Sequence, residues 1–275
     1  MKLPLVQVDA FTDRALAGNP AAVMRLPGWL DDPTLQAIAA ENNLSETAFV
    51  VREGDTHRLR WFTPTVEVDL CGHATLAAGA VVLGEDGGDT VTFETRSGPL
   101  TVRRANDAFE LDLPSLPPRA AVDPPAALAE VLGRPPRELF AVKAVHHAAY
   151  WLAVYSDHAE VVSLEPDTRR MGRELRANVI CTAPGDPGSG LDFVSRFFAP
   201  GSGVDEDPVT GSAHATLAPF WSRRLGRNPL RARQISKRGG DLLCTVDGDR
   251  VRLQGNCVVY LTGVVTLEGH HSGRS

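Results

Sequence analysis

The sequence predicts an α+β fold in which one unit of strand, loop and buried helix is written twice. Three observations carry this. Short segments alternating apolar and polar residues dominate the first third of the chain and resume in its second half. "VDLCGHATLAAGAVVLG" (68–84) and "VTGSAHATLAPFW" (209–221) each set a glycine and a histidine at the foot of an apolar helix, with the letters HATLA repeated. Between the copies, the proline-rich "LPSLPPRAAVDPP" (113–125) suits neither a helix nor a central strand and reads as a linker.

Taken in order, "LVQVDAF", "TAFVV", "RLRWF", "VTFET", "LTVRR" and "FELDL" read as strands separated by Gly, Asp and Pro. A helix over 33–42 follows an Asp-Asp-Pro start signal. A second, over 75–83, is apolar on nearly every side and is therefore expected inside a sheet. After the linker come a helix over 126–132 and strands at "FAVKAV", "YWLAVY" and "LDFVSRFF". A helix over 214–225 follows, then strands at "RQISKR", "LLCTVDG", "RVRLQG" and "VVYLTGVVTLE". The tail "GHHSGRS" holds too little apolar surface to pack. The expected halves are 1–117, completed by 258–269, and 118–257. "RWFTPTVEVD" (60–69) and "RFFAPGSGVD" (196–205) extend the repeat upstream. Aligning the histidines pairs His73 with His214, whereas aligning the glycines pairs Gly72 with Gly211 and His73 with Ser212.

Composition narrows the function. At 275 residues, 43% hydrophobic and 23% charged, the chain can bury a large core without metal or disulfide staples. A net charge of −6 and 6% aromatic residues argue against a nucleic-acid or anionic-membrane partner. Cys71, Cys181, Cys244 and Cys257 form no CxxC, so spacing predicts neither a zinc motif nor a disulfide framework. The opening "MKLPLVQVDAF" lacks the pattern of an export signal, and a reduced, cytoplasmic protein is expected. Nucleotide loops, the GxSxG elbow and HExxH are missing.

The repeated loops point to chemistry. A helix N-terminus offers unpaired N–H groups and partial positive charge, and glycine lets backbone approach a ligand closely. Gly72 and Gly211 begin two such termini, and two equivalent loops facing each other across a cleft would hold a carboxylate or a developing enolate. His73 sits beside the first. Asp207, in "DEDPVTGSA", stands just before the second, where it could bind an ammonium or share a proton with His73. "NNLSETAFV" sets Ser45 and Glu46 at the start of an apolar strand, where a carboxylate facing a partly dry cleft suits a carbon-acid base.

Four segments together resemble the PhzF-like isomerases of the diaminopimelate-epimerase fold. They are "VDAFTDRALAGNPAAVM", "NLSETAFV", "RWFTPTVEVDLCGHATLA" and "GVDEDPVTGSAHATLAPFW". The resemblance implies two pseudo-symmetric barrel-like β halves, each wrapped around a central helix, with the active site between them and a homodimeric assembly. It also implies cofactor-free proton movement on a small carboxylic acid, the best-known reaction being isomerisation of trans-2,3-dihydro-3-hydroxyanthranilate. By resemblance Glu46 is the acid/base, and Gly72 and Gly211 supply backbone donors. Ser45, His73, Asp207 and Ser212 bind substrate or assist proton transfer. Epimerases of this fold use two opposed cysteines. Here Cys71 precedes Gly72, but Thr210 precedes Gly211, so one thiol is missing. The alternatives are an amino- or imino-acid epimerase, racemase or dehydratase, and a non-catalytic metabolite- or protein-binding homologue.

Overall fold

The computed structural model describes residues 1–143 and 149–267. The first copy of the unit contains strands β1 (Lys2–Ala10), β2 (Asn19–Leu26), β3 (Glu46–Glu53), β4 (Thr56–Phe62), β5 (Glu67–Val68), β6 (Thr90–Thr95), β7 (Gly98–Ala105) and β8 (Ala108–Pro114), with helices α1 (Asp32–Asn42) and α2 (Gly72–Asp86). The second contains β9 (Arg119–Ala120), β10 (Glu138–Val142), β11 (Ala149–Val154), β12 (Ala177–Pro184), β13 (Phe193–Ala199) and β14 (Val204–Asp207). It continues through β15 (Leu230–Gln234), β16 (Gly240–Asp247) and β17 (Arg250–Gly255), and the last strand, β18 (Cys257–Thr266), returns to pair with β1 of the first. The helices of the second copy are the short α3 (Leu128–Val131), α4 (His158–Val162) and α5 (Thr168–Arg170), and the long α6 (Gly211–Leu225).

Strand pairing repeats as the sequence does. β2 runs parallel to β3, β3 antiparallel to β4, and β4 parallel to β6, which continues through β7 to β8. In the second copy β11 runs parallel to β12, β12 antiparallel to β13, and β13 parallel to β15, which continues through β16 to β17. β18 pairs along β1 as β9 pairs with β10, and β8 and β17 join the two sets. This is the diaminopimelate-epimerase-like architecture of two barrel-like β halves around central helices.

α2 packs against β1, β2, β3, β6, β7 and β8, and α6 against β8, β15, β16 and β17. Apolar side chains all round α2 require such enclosure. Leu76, Ala77 and Ala78 are fully buried, as are Leu217 and Ala218 of α6, and each buried leucine contributes roughly 1.5–3 kcal/mol. Gly79 lets α2 lie close to β7, since a Cβ there would collide with the Val102 side chain.

Several sequence expectations need correction. Both long helices start at their glycines, earlier than the apolar pattern indicates, because glycine and the polar first turn hide the onset. The last turn of α6 is exposed at Arg223, Arg224 and Leu225, so that helix is not enclosed to its end. The proline-rich linker is structured at both sides: Leu113 pairs with Val251 in β8, and Arg119 with Ala141 in β9. Pro114 is tolerated as the last residue of its strand. The expected helix over 126–132 shortens to α3. The end of "FAVKAV" and the tail 269–275 fall outside the described residues. Among the described residues, no helix is long and apolar enough to cross a membrane.

Candidate active site

The N-termini of α2 and α6 meet head to head. A Cβ on Gly72 would lie 2.8 Å from the Gly211 Cα, and one on Gly211 2.9 Å from the Gly72 Cα. Only glycine at both positions permits this approach. The helix starts also settle the repeat's register: Gly72 matches Gly211, His73 matches Ser212, and Cys71 matches Thr210. His214 then matches Thr75, and both bond the carbonyl one turn back: the Thr75 hydroxyl donates to the Cys71 carbonyl, and His214 Nδ1 lies 2.8 Å from the Thr210 carbonyl. His214 is wholly buried, and burial pushes its pKa down to about 4, so it is a neutral structural ring.

Beside the two helix starts lies a cavity of about 540 Å³. All seven sequence-singled residues line it: Ser45, Glu46, Gly72, His73, Asp207, Gly211 and Ser212. None of the described residues lining it is Lys or Arg, while Glu46, Glu67, Asp69 and Asp207 are acidic, so attraction for an anion has to come from the amides of the two helix ends. Glu67, also in the wall, is neutralised by Arg60 at 2.7 and 2.8 Å and by Arg96 at 2.8 Å.

Glu46 stands at the start of β3 and keeps 16% of its side chain exposed toward the cavity. Its Oε2 lies 3.1 Å from His73 Nε2, without the alignment of a full hydrogen bond. The other ring nitrogen, Nδ1, lies 3.5 Å from Cys71 Sγ and 3.1 Å from Asn19 Nδ2. Asn19 Nδ2 donates to Asp207 Oδ1 at 2.8 Å and to the Val209 carbonyl at 2.9 Å. With both amide hydrogens spent on oxygens, Asn19 has none left to give the ring, and Nε2 is the ring nitrogen turned toward Glu46. Burial opposes a charged His73, but Cys71 and Glu46 outweigh it and raise the pKa well above the ordinary value. Cys71 is itself raised to about 11, first by burial and then by Glu46.

Asp207 is raised to about 6, first by burial and then by Glu46, against the lowering effect of His73, Thr210 and Asn19. It accepts a very short hydrogen bond from the Thr210 hydroxyl. Gln234 Nε2 donates to the Asp207 carbonyl at 2.7 Å while its Oε1 accepts from the Thr210 amide at 2.9 Å, fixing the turn before α6. Outside the cavity lining, Arg238 donates to the carbonyls of Ala17 and Gly18 and to buried Asp9, each at 2.8 Å. That network holds the loop that delivers Asn19.

Glu46, Cys71 and His73 bring potential metal ligands within 4.8 Å of one another. His73 faces Cys71 with one nitrogen and Glu46 with the other. An ion bonded through either nitrogen is therefore directed toward only one of the two partners, a poor match to the chemistry of a shared site.

Sequence reasoning gave no role to Asn19, Tyr150 or Gln234, all placed at the site by the fold. Asn19 lies within the quoted "GNPAA", where its place before a proline reads as a turn. Tyr150 and Gln234 carry no local signal.

A family model described as phenazine biosynthesis-like protein, PhzC-PhzF, matches residues 8–263. An uncharacterized isomerase of Pseudomonas aeruginosa is 48% identical over 270 residues, covering 97% of this chain and all of that protein. A human phenazine biosynthesis-like domain-containing protein is 40% identical over 307 residues, with 97% of this chain and all of the relative covered. The crystal structure of a PhzF-family protein from Enterococcus faecalis superposes with a TM-score of 0.87 at 41% identity, covering 97% of this chain and all of that one. A hydroxyproline epimerase from Agrobacterium vitis shares the fold at a TM-score of 0.60 and 12% identity, over 98% of this chain and 94% of its own.

Proposed function

The chain belongs to the phenazine biosynthesis-like PhzC-PhzF family, and from that premise we propose a cofactor-independent isomerase that shifts a proton, and with it a double bond, on a small carboxylic-acid metabolite. The isomerisation of trans-2,3-dihydro-3-hydroxyanthranilate is the model for the reaction. The observation that carries this reading is Glu46 opening into a cavity where two glycine-led helix N-termini meet. The helix amides bind the substrate carboxylate and stabilise the charge that develops on it. Glu46 takes a proton from the adjacent carbon acid and becomes a carboxylic acid, and it returns that proton to another carbon of the delocalised anion. His73, with Nε2 3.1 Å from the Glu46 carboxylate, positions it and balances its charge. Ser45, Asp207 and Ser212 orient the substrate. A carboxylate base and a preformed anion site together supply what such a shift requires.

The epimerase reading has less support, because Thr210 stands at the position matching Cys71 and the Cys71 thiol is raised to about 11. A homodimer belongs to the same proposal. β18 exposes Val259, Tyr260, Leu261 and Val264 and holds no charged residue, which suits a second copy, and sedimentation tests that directly.

The test is a screen of small carboxylates by NMR in deuterated water, reading carbon-bound hydrogen exchange and isomerisation. A compound turned over by the wild type and left untouched by Glu46→Gln supports the proposal. Turnover that survives Glu46→Gln sinks it.

A further inference from the structure

Strand registers extend the internal symmetry beyond what the repeated letters show. Thr47 pairs with Phe62 and Ala48 with Trp61, while Val179 pairs with Phe198 and Ile180 with Phe197. "RWFTP" and "RFFAP" make Phe62 the match of Phe198, so the residue that matches Glu46 is Asn178. On the neighbouring parallel strands, Glu46 is paired with Ala21 and Asn178 with Tyr150. A methyl group beside Glu46 leaves the carboxylate open to the cavity. A phenol stands in front of Asn178, and the cavity wall includes Tyr150 rather than Asn178.

Asn178 is fully buried, and its Nδ2 donates to Ser202 Oγ at 2.8 Å while its Oδ1 has no partner. Tyr150 is 5% exposed, with its ring tilted against Phe197 at 5.5 Å between centroids. Its strand partner is Asn178, and Ser212, in the first turn of α6, lines the same cavity wall. Burial raises the Tyr150 pKa, and the contacts with Asn178 and Ser212 offset this only in part, so the phenol keeps its proton at every physiological pH. Asn178 Nδ2 keeps a second hydrogen beyond the one given to Ser202, and as the strand partner of Tyr150 it can turn that hydrogen to the phenol oxygen while the phenol's own hydrogen serves the cavity.

We infer that Tyr150 is a substrate-contacting hydrogen-bond donor that extends the α6 anion site to one oxygen of the substrate carboxylate, and that Asn178 is the positioning residue that aims it. This rests on the carboxylate-binding reading above. A neutral donor suits an oxygen that gains charge as the neighbouring carbon is deprotonated, because its strength grows with that charge.

Benzoate, a planar carboxylate small enough for the cavity, serves as the probe. Its dissociation constant is read by NMR from the Gly72 and Ser212 amides in wild type, Tyr150→Phe, Asn178→Ala and the double variant. Tyr150→Phe, which keeps the ring against Phe197, is expected to weaken binding about tenfold, the scale of one hydrogen bond to a charged group. Asn178→Ala should weaken it several-fold in the wild-type background and no further in the Tyr150→Phe background, while lowering the melting temperature in both. Equal losses from Asn178→Ala in both backgrounds would reduce that residue to a structural role. Amide shifts and affinity unchanged by Tyr150→Phe would overturn the donor role and leave the helix-end site standing. If benzoate moves neither amide in the wild type, the carboxylate site itself fails and this inference falls with it.

Discussion

Glu46, Cys71 and His73 stand in the first half of the molecule at positions where the second half has Asn178, Thr210 and Ser212. Backbone and strand pairing repeat closely, yet one half brings a carboxylate, a thiol and an imidazole, and the other an amide and two hydroxyls. The second half adds one acid the first lacks. Phe197 pairs with Asp207 as Trp61 pairs with Val68, so Asp207 stands where the first half has a valine, four positions before the helix-starting glycine in each. Symmetry therefore builds the anion site, which needs two matched helix ends, and asymmetry builds the proton chemistry. A base on one wall facing hydrogen-bond donors on the other suits a proton that leaves and returns on the same face.

The largest expected effect tests that division. Glu46→Gln should lower isomerisation of any identified substrate by about a hundredfold to ten-thousandfold, the usual scale for general acid–base catalysis, with binding nearly intact. The loss in Asn178→Ala should stay within about tenfold, since that residue acts only through Tyr150. Comparable losses in turnover from both variants would mean that the two walls share the proton chemistry.

The next effect separates the matched residues Thr75 and His214 through stability. The folded pKa of His214 is about 4, below the ordinary histidine value, so between that value and about 6.5 the unfolded chain binds a proton that the native state does not. Stability from this group is present above the unfolded pKa and is lost as pH falls toward 4, by on the order of 3 kcal/mol. Asp207 has the opposite sign. Its folded pKa of about 6 lies above the unfolded one, so its protonated form favours the native state, and that contribution fades as pH rises through 6. Urea midpoints from pH 4 to 7 should rise less steeply in His214→Thr than in wild type, and more steeply in Asp207→Asn. Parallel curves for all three would refute both assignments.

A smaller loss is expected where the helix ends touch. A methyl group at Gly211 would sit 2.9 Å from the Gly72 Cα, and the backbone must give. Gly211→Ala should cost about 1–3 kcal/mol of stability, in line with overpacking elsewhere, and should weaken benzoate binding. Gly72→Ala is expected to match it, because the contact is mutual. A pair of variants differing severalfold in benzoate affinity would show that one helix end does most of the binding.

Much of this was legible in sequence because the signals are local. Apolar residues on all sides of 75–83 required enclosure, and glycine ahead of each apolar run marked the two helix starts. β2 and β12 went unread for physical reasons. "NPAAVMRL" opens on a turn signal, and "ANVICTAP" is buried on both faces, so it shows no alternation. The repeated HATLA left two registers open, and the helix starts choose the glycine alignment: His214 matches Thr75, two positions away from the partner its letters suggest. Glu46, His73 and Asp207 could be picked out by residue type and motif. Asn19, Tyr150 and Asn178 could not, because what brings them to the site is pairing between strands far apart in the chain.

The smallest expected effect bears on the one matched pair that an epimerase would need alike. A two-base epimerase requires a thiolate on each side of the substrate, and Cys71 is the only thiol beside either helix start. With its pKa at about 11, roughly one Cys71 in ten thousand is ionised at pH 7, too few for a base in competition with the neighbouring carboxylate. Cys71→Ala should accordingly change turnover by less than about tenfold, through packing against His73 alone. Thr210→Cys restores the second sulfur but also removes the hydroxyl that Asp207 accepts from, so it should yield no inverted product and a modest loss of isomerisation. Chiral chromatography of the product checks both. Inverted product from Thr210→Cys, or a Cys71→Ala enzyme as inactive as Glu46→Gln, would return the thiol to the centre of the chemistry and make the difference between the two halves a recent loss rather than the working arrangement.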